Sequence, residues 1–377
     1  MEFLVSSSQL FGQLQLASKV VASKNTLPIL DNFLFDLKDG ILYITASDLE
    51  TTITTNVKVE SSTGEGTIAI EAKRIIDILR EIPEQPIKFD ISLEDLKIDI
   101  ILAKGKRSIP GQSGEEFPQV PSLKSDKVAS LEISPEIIST GLSTTIFATG
   151  NDELRPVMNG VFIELKPEEG INFVATDGFK IVKYNRKDIE IGEEKSFILP
   201  KKPATILKSI LPKAFDKIKL EFDEKNAVFN FENIKLICRL VEGIYPNYMN
   251  VIPKNNPYKM IIDRLEFYNT LKSVSVCANQ ASNLIGLYID NEKVEIVAQD
   301  YDYSTSGNDT IFCQYDGVER MEIGFKSGFL IEMLSNIQTP EVILELSDPA
   351  KAGVILPKDN ENEAENILML LMPMMIN

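Results

Sequence analysis

The chain contains no histidine. That excludes Ser-His and Cys-His nucleophile pairs and the usual zinc ligand sets. Its three cysteines, Cys238, Cys277 and Cys313, are an odd number, far apart and without a C-x-x-C pair. They support neither a disulfide framework nor a metal site, and buried free thiols are expected. No apolar run approaches the roughly 18 residues of a membrane span. The N-terminal MEFLVSSSQLFGQLQ carries an acid where a signal peptide needs basic residues. A cytoplasmic protein with no membrane partner is expected. No G-x-x-x-x-G-K-S/T occurs, so there is no P-loop. DYDYSTSGND, from Asp300 to Asp309, opens like a calcium loop, but Thr305 stands where glycine is needed and Ile311 where the closing glutamate belongs. No cofactor is expected, and enzyme readings start weakly.

What is present is a repeat. A length of 377 residues predicts two or three domains. One pattern of helix, strand pair, second helix and further strands occurs three times. Leu10, Ile138 and Phe267 mark the first helix, Leu79, Leu207 and Leu334 the second, and Asp48, Asp177 and Asp300 an Ala-x-Asp at a strand end; the offsets run from 123 to 129 residues. That spacing is too long for a solenoid and fits one domain per repeat. The polar, Pro-bearing stretches PSLKSDK and VIPKNNP mark the joints, giving domains 1–124, 125–252 and 253–377. Each reads as α+β, two helices packed on antiparallel sheets. The repeated aspartate is expected to form a turn by hydrogen-bonding nearby backbone.

Charge is unevenly spread. The predicted helices are 8–24, 71–81, 134–150, 200–217, 263–281 and 324–337. They hold thirteen basic and eight acidic residues, net +5, which leaves −22 for the rest of a chain of net −17. The fourth helix, PKKPATILKSILPKAFDK, holds Lys201, Lys202, Lys208, Lys213 and Lys217 against Asp216. One basic surface built from all the helices would attract phosphates without reading sequence, while the acidic remainder repels nucleic acid.

These features, with TLPIL after the first helix, FVATDGFKIV, LVEGIYPNYMNVIP, MEIGFKSGFLIEML and the terminal LMPMM, resemble the bacterial DNA sliding clamp family, the beta subunit of the replicative DNA polymerase III holoenzyme. The resemblance covers the whole chain in order. It implies three DNA-clamp domains per chain and a head-to-tail homodimer closed into a ring. Double-stranded DNA passes through beside the helices, and the ring confers processivity in replication without catalysis. Lys24, Lys73, Lys201, Lys202 and Arg155 are the implied DNA contacts. Lys106, Arg107 and Ile109 are implied to meet the segment holding Val276 and Cys277 across the dimer. Implied partners are the replicative polymerase alpha subunit, the clamp loader, and repair and translesion polymerases, through short clamp-binding peptides of the Gln-x-x-Leu-Phe kind. The chain departs from the family at Phe179-Lys180, at Pro156-Val157 after Arg155, and at its Met375-Ile376-Asn377 ending.

The terminal ILMLLMPMMIN has no charge and four methionines. A last buried strand accounts for Ile367 to Leu371, but Pro373 would interrupt a central ladder. The resemblance puts this tail in a client-peptide groove of Thr176, Gly178, Phe179, Lys180 and Ile181, Pro246 and Val251, and Leu370, Met372, Pro373, Met374 and Met375. Two rival readings stand beside this one. A nucleotide-metabolising enzyme would use Asp177, Asp300 and Asp302, but these recur at equivalent places in separate domains. A three-module protein-interaction scaffold without DNA encirclement would give no ring and no DNA retention.

Overall fold

The computed structural model describes residues 1–22, 24–123, 128–211 and 217–376. Lys213 and the joint expected at 124/125 lie outside them. The chain divides into two compact units. One holds Met1–Ile138 and Ile206–Leu240, the other Ser139–Thr205 and Val241–Asn377, so the central third contributes to both.

Among the described residues six α-helices occur at the repeat positions: α1 Ser7–Ala17, α2 Ala72–Arg80, α3 Pro135–Thr145, α4 Lys201–Ile210, α5 Arg264–Ser275 and α6 Ser327–Ser335. Ser6 caps α1 through the Gln9 N–H, and Asp263 caps α5 through the Glu266 N–H. The apolar stripe faces inward in every copy: Leu10, Ile138 and Phe267, and Leu79, Leu207 and Leu334, are all buried.

Helices α1, α3 and α5 end sooner than their periodicity predicts. The Ser18, Thr145 and Ser275 hydroxyls donate back to the Gln15, Gly141 and Lys272 carbonyls at 2.8, 2.6 and 3.0 Å. Such bonds compete with the helical ladder, and the chain tightens into turns before Val21 and Ala278. The last helix begins at Ser327 rather than at 324, because Met321–Lys326 is a strand paired with Leu284–Asp290. The shorter helices keep the charge bias, with eight basic and four acidic residues.

The first unit has a five-stranded sheet wholly from the N-terminal third and a nine-stranded sheet. The latter joins five N-terminal strands to four central ones, with Thr51–Lys58 paired antiparallel to Ile234–Arg239 at the seam. The second unit repeats this with four central and five C-terminal strands, joined where Lys180–Arg186 pairs with Glu365–Leu371. Its other sheet has four C-terminal strands. In both seams, the strand after the repeated aspartate pairs with the last strand of the following repeat.

The aspartates are turn formers. The Oδ1 of Asp48 accepts the Glu50 and Thr51 N–H groups, that of Asp177 the Phe179 and Lys180 N–H groups, and that of Asp300 the Asp302 and Tyr303 N–H groups. Cys238 and Cys313 are buried and Cys277 is half-buried, all three unbridged. Burial pushes the Cys238 thiol up to about 12 and the Cys313 thiol up to about 11. Among the described residues no helix is long and apolar enough to cross a membrane.

Candidate functional site

In the second unit the turn after Asp177 and the C-terminal tail come together. Gly178 has φ +93°, a conformation that favours glycine, and a Cβ there would stand 2.8 Å from Arg155 Nη1. The Thr176 hydroxyl closes the turn, donating to the Lys180 carbonyl at 2.8 Å and accepting from the Gly178 N–H at 3.1 Å. Phe179, 60% exposed, is the apolar surface of the turn, stacked on Phe329 of α6 with centroids 6.5 Å apart. Below lies an apolar floor of Val174, Ile181, Ile198, Tyr245, Tyr248 and Leu370. Tyr245 stacks on Phe162 at 4.6 Å. The Tyr248 hydroxyl donates to Glu164 at 2.8 Å, and burial, reinforced by that carboxylate, raises its pKa above the ordinary range. Pro246 is half-buried and Val251 exposed, and the Val251 N–H bonds to the Tyr248 carbonyl.

The tail answers the Pro373 problem. Glu365–Leu371 ends where Leu371 pairs with Lys180, and the Met372 N–H extends the ladder to the Phe179 carbonyl at 2.9 Å. The next bonded donor is Met374, to the Gly324 carbonyl of the four-stranded sheet at 2.8 Å. Pro373 stands between two bonded donors as the tail passes from one sheet to the other. Met372 and Met375 are exposed, at 39% and 75%.

One groove assignment changes. The Lys180 side chain does not line the surface. It is 5% exposed and pinned between Asp177 at 3.1 Å and Glu332 at 3.2 Å, with its ammonium 4.1 Å from the Phe329 ring centre. Leu370 keeps its place in the groove, as part of the floor. Tyr245 and Tyr248, and Val157, which packs against the same floor, were not singled out as groove residues in the sequence. The tyrosines lie in the YPNY linker, but their inward direction is set by packing.

The basic residues fall in both units. Lys24 is exposed beyond α1 and Lys73 is exposed on α2. Arg74 and Arg80 are held by Glu71 and Asp77 at 2.8 Å each, whereas Lys73 makes no ion pair among the described residues. A cleft of about 960 Å³ runs beside α1 and α2, lined by Lys19, Lys73 and Arg80 with Gln13, Leu16 and Asn233. Lys201 donates to Asn151 at 3.0 Å and Lys202 is exposed. Arg155 is paired with Asp152 at 2.9 Å beside Gly178, which puts it at the groove turn.

The expected interface residues also need revision. Lys106, Arg107 and Ile109 lie on Gly105–Pro110, the edge strand of the five-stranded sheet. Ile109 points inward, 7% exposed and opposite Ile98. Val276 and Cys277 are in the turn after α5, not on a strand. The edge beside them is Thr305–Phe312, whose Thr305 hydroxyl donates to the Cys277 carbonyl at 3.4 Å. Behind Arg107, Ile78 and Ile82 line a cleft of about 540 Å³ that the sequence did not single out. Lys106 and the Ser108 hydroxyl bind Asp99 and hold its carboxyl down to about 2.

Comparison with known proteins agrees with this architecture. The N-terminal, central and C-terminal domain families of the DNA polymerase III beta subunit match residues 1–121, 132–247 and 249–375. The beta sliding clamp of Synechococcus elongatus is 29% identical over 368 residues, covering 95% of this chain and 96% of that protein. That of Staphylococcus epidermidis is 25% identical over 376 residues, covering 98% of each. The crystal structure of the DNA polymerase III beta subunit from Thermotoga maritima superposes with a TM-score of 0.90 at 26% identity, covering 100% of both chains. The chain therefore belongs to the DNA polymerase III beta subunit family, the sliding clamps of bacterial DNA replication.

Proposed function

We propose that two copies of this chain close head to tail into a ring around duplex DNA and tether the replicative polymerase, without catalysis, in the cytoplasm. The domains would be 1–124, 125–252 and 253–377. The observation that carries this is the sheet pattern. Each in-chain seam completes a nine-stranded sheet, five strands of the first repeat with four of the second, and four of the second with five of the third. What remains is a four-stranded sheet ending in Thr305–Phe312 and a five-stranded sheet ending in Gly105–Pro110. By the same rule, these two edges of different copies would pair into a third nine-stranded sheet, which removes both exposed edges. The first seam supplies the register used here. Thr55, seven residues past Asp48, pairs with Ile234 at the start of its strand. Gly307, seven past Asp300, would then face Gly105, and Ser306 would face Lys106. Val276 and Cys277, beside that edge, would enter the cleft of Ile78 and Ile82.

Lys24, Lys73, Lys201 and Lys202 would touch phosphates, weakly enough for sliding because the ring is held topologically. Arg155, next to Gly178, fits the groove better than the DNA. Thr176, Gly178, Phe179, Ile181, Pro246, Val251, Leu370 and Met372 to Met375 would take short client peptides of polymerases and of the clamp loader. The exposed Phe179 over a buried aromatic floor supports an apolar, aromatic anchor, and methionine suits a surface that accepts several partners.

The test is oxidation of a chain carrying Lys106→Cys and Ser306→Cys, with each single variant as control. A covalent dimer from the double variant, retained after loading on nicked circular DNA and lost from linear DNA, is the expected result. A chain that stays monomeric at micromolar concentration, or equal retention on both DNAs, overturns the proposal. Removal of 372–377 should leave the ring and abolish peptide binding in a fluorescence titration.

A further inference from the structure

The C-terminal tail rests on a notch in the four-stranded sheet. Gly286 of Leu284–Asp290 lies directly opposite Gly324 of Met321–Lys326. Registered residues of antiparallel strands share a face, so two absent side chains leave one gap. Ile376 occupies it. A Cβ at Gly324 would come within 3.0 Å of Ile376 Cγ1, and one at Gly286 within 3.4 Å of Ile376 Cδ1. The tail backbone is equally close, since a Cβ at Gly324 would stand 2.5 Å from the Met374 carbonyl oxygen. Met374 and Gly324 form an antiparallel bridge on that edge. Neither glycine has a positive φ. What these positions require is the missing Cβ, not a special backbone.

We propose that Gly286, Gly324 and Ile376 are positioning residues for client binding: Ile376 in the paired-glycine notch holds Met372 and Met374 against the groove, although none of the three touches the client. The inference rests on the groove reading above. An unlatched tail of flexible methionines occupies its binding position only part of the time, and apparent affinity falls by that fraction.

The experiment uses the full-length protein, a labelled Gln-x-x-Leu-Phe peptide in fluorescence anisotropy, and methyl-labelled methionine NMR. Ile376→Gly and Gly324→Ala should each weaken peptide binding by about five- to tenfold and sharpen the Met374 methyl signal, with the thermal midpoint nearly unchanged. Ile376→Val should restore both. Met372→Ala separates this inference from the groove reading. If it abolishes binding while Ile376→Gly and Gly324→Ala do not, the groove stands and the positioning role is overturned. If Met372→Ala binds unchanged, the groove reading falls and takes the positioning role with it.

Discussion

Lys180→Met tests the pin beneath the groove. The substitution keeps the length of the side chain and its packing on Phe329, where a thioether replaces the cation–π contact at similar strength. It removes the ammonium that binds Asp177 and Glu332. Breaking a fully buried pair by deleting one partner costs about 3–5 kcal/mol. Here the two acids differ. The Glu332 side chain is 44% exposed, so water solvates it once the lysine is gone, whereas that of Asp177 is 16% exposed. Asp177 keeps the Phe179 and Lys180 N–H donors at 2.9 and 3.0 Å, which meet part of its need. The expected loss is therefore about 2 kcal/mol, from Asp177 almost alone. Urea unfolding followed by circular dichroism measures it, with hydrogen exchange at 177–184 to place the loss in the second unit. A double-mutant cycle with Glu332→Gln should give a coupling below about 1 kcal/mol. A Lys180→Met protein within about 0.5 kcal/mol of the parent, or a larger coupling to Glu332, would refute this reasoning.

Ile78→Asp with Ile82→Asp should give folded monomers at micromolar concentration, because both side chains are half-buried on a cleft wall; sedimentation as a dimer would count against the interface. Ile109→Asp should instead destabilise the N-terminal sheet itself, visible as a lowered urea midpoint with or without dimerisation. Lys73→Glu and Lys202→Glu should each flatten the log-log salt dependence of DNA loading by about 0.9 for every phosphate no longer neutralised, and an unchanged slope would turn those side chains away from DNA. Asp99, at about 2 in the folded chain against about 3.9 unfolded, stabilises the folded state above pH ~4 and loses that contribution as pH falls toward about 2. The urea midpoints of the parent and Asp99→Asn should therefore differ at pH 6 and converge near pH 2, and a gap that persists at pH 2 would assign the difference to another cause.

Three repeats were legible because each buries the same stripe. Leu10, Ile138 and Phe267 must face a core, and that need recurs with the domain length. The turn aspartates were legible for a related reason, since an Asx turn is local and needs only the next three residues. Helix ends were not. Ser18, Thr145 and Ser275 have two hydrogen-bonding choices, and which one prevails is decided by the packing that follows. The direction of Ile109, the burial of Lys180 and the apolar floor of Tyr245 and Tyr248 were equally out of reach, because each depends on partners distant in the chain. Glycine spacing alone says nothing of Gly286 facing Gly324, as register is set by the hairpin and the strands on either side. The sequence by itself determined the number of domains, their α+β class and the segregation of charge, all of which follow from periodicity and composition. The tertiary structure alone decided which strand edges remain open, which lysine is pinned and where the tail comes to rest, because those depend on long-range pairing that no local pattern encodes.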